Sequence, residues 1–170
     1  RGFPRAEFER RLERAQHGMA ADGLDALLLT TEPEVRWFTG FLTQFWQSPT
    51  RPWFLVVPRT GLPIAVIPGI GEPLMARTWV EDIRSWPSPQ PEDEGISLLV
   101  DALRDAGAGQ GRIGLPMGRE TMLRMPLNDY ARLGAALPAA ALVDASPLVR
   151  SLRLVKSAAE IEKIAPVCRI

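Results

Sequence analysis

Two residue types that carry much of protein chemistry are nearly missing from this 170-residue chain, which has one histidine, His17, and one cysteine, Cys168. A single cysteine closes no internal disulfide, which suits a reducing compartment. One imidazole and one thiol cannot assemble any of the usual zinc ligand sets. A Ser-His-Asp or Cys-His site would have to use His17, and no serine or cysteine is near it in sequence. On its helix His17 falls about 180° from the apolar stripe, so it is expected to face solvent.

Net charge is also missing: twenty basic and twenty acidic residues cancel, and no basic run exceeds Arg10-Arg11. Nucleic acid and anionic membranes both require a concentrated positive field, so neither is expected as a partner. No apolar run approaches the roughly 20 residues that span a bilayer, and no signal-peptide pattern opens the chain. A cytoplasmic setting is the expectation. The chain opens on Arg1 instead of Met and closes at Ile170 inside a helical pattern, so it is expected to be a piece of a longer protein.

What is present reads as one globular domain, since 46% hydrophobic residues over this length suffice for a real core. Phe8, Leu12, Ala15 and Met19 recur at helical spacing and predict an amphipathic helix over 5–21, ended by Gly23. The wholly apolar run 26–29 predicts a buried strand. Pro33 suits the first turn of a short helix that Gly40 terminates. Strands are expected at 54–57 and 64–67, joined by Pro58, Gly61 and Pro63, and another at 82–86. A short helix is expected within 69–78. Ile96, Leu99, Val100, Leu103 and Ala106 mark a further helix, followed by a strand at 113–115, a helix opened by Pro126, and a last strand at 141–143. Alternating strands and helices imply a sheet covered on both faces, and the hairpin-like pair at 54–67 makes that sheet mixed. Ser157 and Glu160 form a capping box that starts a new helix with little chain left to pack against.

Few residues qualify for chemistry. Glu92-Asp93-Glu94 reads as a solvated helix entrance. Asp144 follows a strand, where ligand residues often sit, but a turn or cap before Ser146-Pro147 is the preferred reading. The glycines at 107, 109 and 111 precede a strand, the wrong order for a phosphate cradle. Residues 67–71 have the better order but no following lysine. The most unusual stretch runs from Trp37 to Phe54, which holds seven of the chain's twelve aromatics. Within it Gln44, Phe45, Trp46 and Arg51 belong to a segment too polar for a buried strand. Two readings stay open: a contact surface exposing Trp46 and Arg51, or loop packing.

The order helix, Gly23-Leu24-Asp25-Ala26-Leu27-Leu28, then Trp37-Phe38-Thr39-Gly40-Phe41, resembles the amino-terminal domain of the creatinase/prolidase family. The closing stretch Leu152-Arg153-Leu154-Val155-Lys156-Ser157 with Glu160, Ile161 and Ile164 is similar to the junction where that domain enters the "pita-bread" catalytic domain. The resemblance implies a three-layer α/β/α domain over 1–150, similar to the ribonuclease H-like motif, with a mixed sheet of about six strands, and a junction helix over 151–170. It implies no catalytic residue and no metal ligand here, with two divalent metal ions in a following catalytic domain of a metal-dependent hydrolase. It further implies homodimerisation and a role at the substrate entrance for a peptide or small-molecule substrate. The positions matching family residues that reach substrate, in the same or a neighbouring subunit, are Trp46 and Arg51; residues 47–50 are extra relative to the family pattern. Pro166 is a second departure, expected to remove a hydrogen bond from the junction helix. A protein-binding module from a relative without peptidase activity, or a parent acting on a small non-peptide substrate, are the alternatives; a free-standing small-ligand domain is a third.

Overall fold

The computed structural model describes residues 2–47 and 51–169. It begins with helix α1 (Arg5–Asp22), strand β1 (Ala26–Leu29) and helix α2 (Glu32–Thr39), then a 3-10 turn at Gln44–Gln47. Strands β2 (Phe54–Pro58) and β3 (Ile64–Pro68), the short helix α3 (Glu72–Met75) and strand β4 (Asp82–Trp86) follow. The second half alternates helix α4 (Ile96–Asp105), strand β5 (Arg112–Leu115), helix α5 (Leu127–Ala136), strand β6 (Ala141–Asp144) and helices α6 (Ser146–Leu154) and α7 (Ala158–Val167).

The six strands form one sheet in the order β4-β3-β2-β1-β5-β6. The β1–β2 and β2–β3 pairs are antiparallel, whereas β1–β5, β5–β6 and β3–β4 are parallel. The expected mixed sheet is therefore present. Period-two alternation sends Leu27, Leu29, Leu55 and Val57 to one face, where they join Phe8, Leu12 and Met19 of α1, Phe38 of α2 and Leu148 of α6. Leu28, Phe54, Val56 and Val66 point to the other face, against Leu99 and Leu103 of α4 and Leu133 of α5. Helices thus cover both faces, giving the three-layer α/β/α architecture.

Glycines end the first two helices as the sequence implies. Gly23 and Gly40 both adopt left-handed φ, 65° and 76°, and return their N–H groups to helix carbonyls. Helix α6 is an addition to the sequence reading, which stops at a cap before Ser146-Pro147. It crosses α1 where Gly18 leaves room: a Cβ there would sit 2.3 Å from Cδ1 of Leu148. Residue 150, the expected domain limit, lies inside α6, and Leu152 beyond it is buried. Helix α7 runs through Pro166 to Val167 and contributes no buried residue. Among the described residues no helix is long and apolar enough to cross a membrane.

Candidate functional site

The chain leaves the carboxyl end of β1 toward one face of the sheet, through α2, and the carboxyl end of β5 toward the other, through α5. Adjacent parallel strands whose connections part in this way leave a crevice, the usual ligand position in open α/β sheets. An open cleft of about 620 Å³ occupies that place. Its walls are Thr31, Glu32 and Pro33 at the start of α2, residues 122–126 after β5, and Trp46, Arg51 and Pro52. Both residues singled out from the sequence therefore border one cavity.

They do so differently. Trp46 is 8% exposed, so it packs as part of the wall instead of standing out in solvent. Its ring lies 5.6 Å from that of Trp53 and 6.2 Å from Phe41. Trp53 is fully buried under Gly71, where an added Cβ would come within 2.2 Å of the indole. That glycine serves packing. Arg51 is half-buried at the cleft. Among the described residues no carboxylate pairs with its guanidinium, and Glu32 across the cleft pairs with Arg36 at 3.7 Å. Of the extra residues 47–50 between the two, Gln47 ends the 3-10 turn, and Ser48, Pro49 and Thr50 lie outside the described residues.

Sequence reasoning missed Arg124. Its backbone N–H donates to Thr30 Oγ1 at 2.9 Å, just past β1. Its guanidinium lies 5.5 Å from the Trp46 ring and donates to the Arg51 carbonyl. It thus joins the segment after β5 to both ends of the aromatic loop. Burial pushes its pKa below the ordinary arginine value. Nothing at sequence level marks Arg124, because Arg51 and Thr30 are 73 and 94 residues away from it.

The other candidates have structural roles. His17 is exposed, and its Nδ1 lies 2.8 Å from the Glu13 carbonyl of its own helix. Asp144 accepts from the backbone N–H of Ser146 at 2.9 Å and of Met117 at 3.1 Å, in the turn that precedes α6. Hydrogen bonds from the Ser146 side chain and backbone hold its carboxyl below the usual range. Glu94 accepts from Trp86 Nε1 at 3.1 Å and Ser88 Oγ at 3.0 Å, and Asp93 from the Ser97 N–H at 3.0 Å. These two are therefore more than solvated charges; they organise the turn into α4. Gly111 makes room for Asp25, whose Oδ2 accepts from the Arg112 N–H at 2.8 Å. Among the described residues no three His, Cys, Asp or Glu side chains gather as metal ligands.

A family description of the creatinase/prolidase N-terminal domain matches residues 11–155. The chain belongs to this family. An uncharacterised hydrolase/peptidase of Sinorhizobium fredii is 27% identical over 94% of the chain, and the creatinase of a Bacillus species 29% identical over 99%. The chain spans only 41% and 38% of the lengths of these relatives. Among solved structures, the dipeptidase PepE from Mycobacterium ulcerans superposes over 97% of this chain and 41% of its own, at 25% identity and a TM-score of 0.73. A prolidase from Thermococcus sibiricus shares the fold at 19% identity over 91% of this chain and 39% of its own, with a TM-score of 0.73.

In this creatinase/prolidase-type domain a second buried polar cluster stands apart from the cleft. Glu7 and Arg11 of α1 are 1% and 3% exposed and meet at 3.2 Å. Arg11 also reaches Glu160 at 3.0 Å. A second buried carboxylate, Glu34 of α2, lies 3.5 Å from Arg153, and its Oε2 has no hydrogen-bond partner among the described residues. Burial pushes its pKa up, with Arg153 opposing only in part. A raised folded pKa means that stability falls as pH rises from the unfolded glutamate value through the folded one. Glu34→Met is expected to raise stability at neutral pH by about 1 kcal/mol and to remove that dependence. Urea melts of both proteins across the acid-to-neutral range check this.

Proposed function

We propose that this domain is the non-catalytic amino-terminal part of a longer metal-dependent hydrolase. In this reading it pairs with a second copy and narrows the substrate entrance of a catalytic site in a following pita-bread domain, in its own or the neighbouring subunit. That following domain would hold two divalent ions that activate a water for attack on an amide-like bond. This chain supplies recognition. Arg51 makes charge-assisted hydrogen bonds to a substrate carboxylate, and the accessible edge of Trp46 gives apolar or cation–π contact.

The observation that carries this reading is the placement of Arg51: a half-buried cation without a carboxylate partner among the described residues, in a cleft at the sheet's switch point. Arg124 fixes the backbone carbonyl of Arg51, so the side chain is offered from an anchored position. A small non-peptide substrate is the second reading, favoured by the likeness to creatinase over 99% of the chain.

Arg51→Ala in the longer protein is the test. With Xaa-Pro dipeptides and creatine as substrates, kcat/KM for whichever is turned over is expected to fall about 10- to 100-fold, with an unchanged melting temperature. Unaltered kinetics would remove the role assigned to Arg51.

A further inference from the structure

Helix α7 packs little against the other described residues. None of its residues is buried, and Ile161, Ile164 and Val167 are 56%, 44% and 68% exposed. A ten-residue helix that buries no side chain is marginal in water, and beyond its first turn the ring contact is Lys163 Nζ, 5.0 Å from the Phe3 centroid. Its first turn is nonetheless tied to two other helices.

We propose that Ser157 and Glu160, together with Glu7, Arg11 and Trp37, form a latch that fixes the direction in which α7 leaves the domain. The capping box supplies the moving half: Ser157 N–H donates to Glu160 Oε2 at 2.9 Å, and Glu160 N–H donates to Ser157 Oγ at 3.2 Å. An ordinary capping box faces water. Here both side chains also reach beyond the box. Ser157 Oγ also donates to Glu7 Oε1 at 2.7 Å, on α1. Glu160 Oε1 accepts from Arg11 Nη2 and from Trp37 Nε1, both at 3.0 Å, so it is held from α1 and α2 together.

The fixed half is rigid. Arg11 directs its Nε to Glu7 at 3.2 Å and its Nη1 to the Trp37 carbonyl at 2.6 Å. Its guanidinium lies 4.3 Å from the Phe3 ring and 4.9 Å from the Trp37 ring. One contact would leave α7 free to swing. Three contacts from two helices define an angle. Helix α2 begins at the cleft and ends at the latch, so one element about 12 Å long references both. The latch does not depend on what the cleft binds.

The lone cysteine makes the direction measurable. Cys168 is exposed at the end of α7, and His17 is exposed on α1. In the full chain carrying His17→Cys, spin labels at positions 17 and 168 report the distance distribution between α1 and the tip of α7. A narrow distribution is expected. Glu160→Gln preserves a capping box but removes the charge facing Arg11, and Trp37→Phe removes one donor while sparing the Glu7–Arg11 pair. Each is expected to broaden the distribution at least about two-fold, with amide protection of β1 unchanged. A broad distribution in the parent, or unchanged widths in both variants, would overturn the latch.

Discussion

Arg11→Met is expected to lower the unfolding free energy by about 3–5 kcal/mol, because removing one partner of a buried ion pair leaves the other charge uncompensated. Glu7 would keep Ser157 and Arg10, but Arg10 is 60% exposed and screened by water. Replacing both partners, Glu7→Gln with Arg11→Met, should recover part of the loss, since the fully buried Glu7 charge is then gone, while Glu160 keeps the neutral donors Trp37 Nε1 and Ser157 N–H. Urea midpoints at constant slope read both effects. The same cluster sets an acid limit. Burial alone would raise the Glu7 pKa, but hydrogen bonds from Ser157 and Arg10 and the charge of Arg11 outweigh it and hold it below the ordinary value. Its stabilisation is therefore complete above the unfolded glutamate pKa and is lost as pH falls through the folded one. Arg11→Met should flatten that acid dependence.

Trp53→Ala is the second large effect, again about 3–5 kcal/mol, through the cavity left by a fully buried indole. Gly71, Phe41 and Trp46 all rest on this ring, so the loss reaches the wall of the cleft. Trp53→Phe should cost much less. Its indole N–H has no hydrogen-bond partner among the described residues, so only volume is given up. A Trp53→Phe variant as unstable as Trp53→Ala would show that the N–H is satisfied.

How far the fold could be read from sequence follows from how local each signal is. Helices and strands with a clean period, and the stops at Gly23 and Gly40, depend on neighbours within a few residues, and the structure has them. For helix α6 the sequence offers a turn or cap before Ser146-Pro147 and no more, although Leu148 and Leu152 keep helical spacing; Pro147 lies in its first turn. At the site, the aromatic loop and its two residues were legible, but the burial of Trp46 was not. Gln44 and Gln47 suggest solvent, whereas Phe41 and Trp53 cover the ring in space. The latch was half visible. The capping box is a local motif, yet its reach to residues 149 and 150 positions away has no signature in one sequence.

Whether bond breaking belongs to another domain, as proposed, is tested most directly by assaying the purified 170-residue chain alone. Xaa-Pro dipeptides and creatine would be offered with and without added divalent ions. The expected rate equals that of buffer in every case. Enzyme-like turnover that follows the chain through purification, with contaminants excluded, would contradict the assignment of bond breaking to another domain.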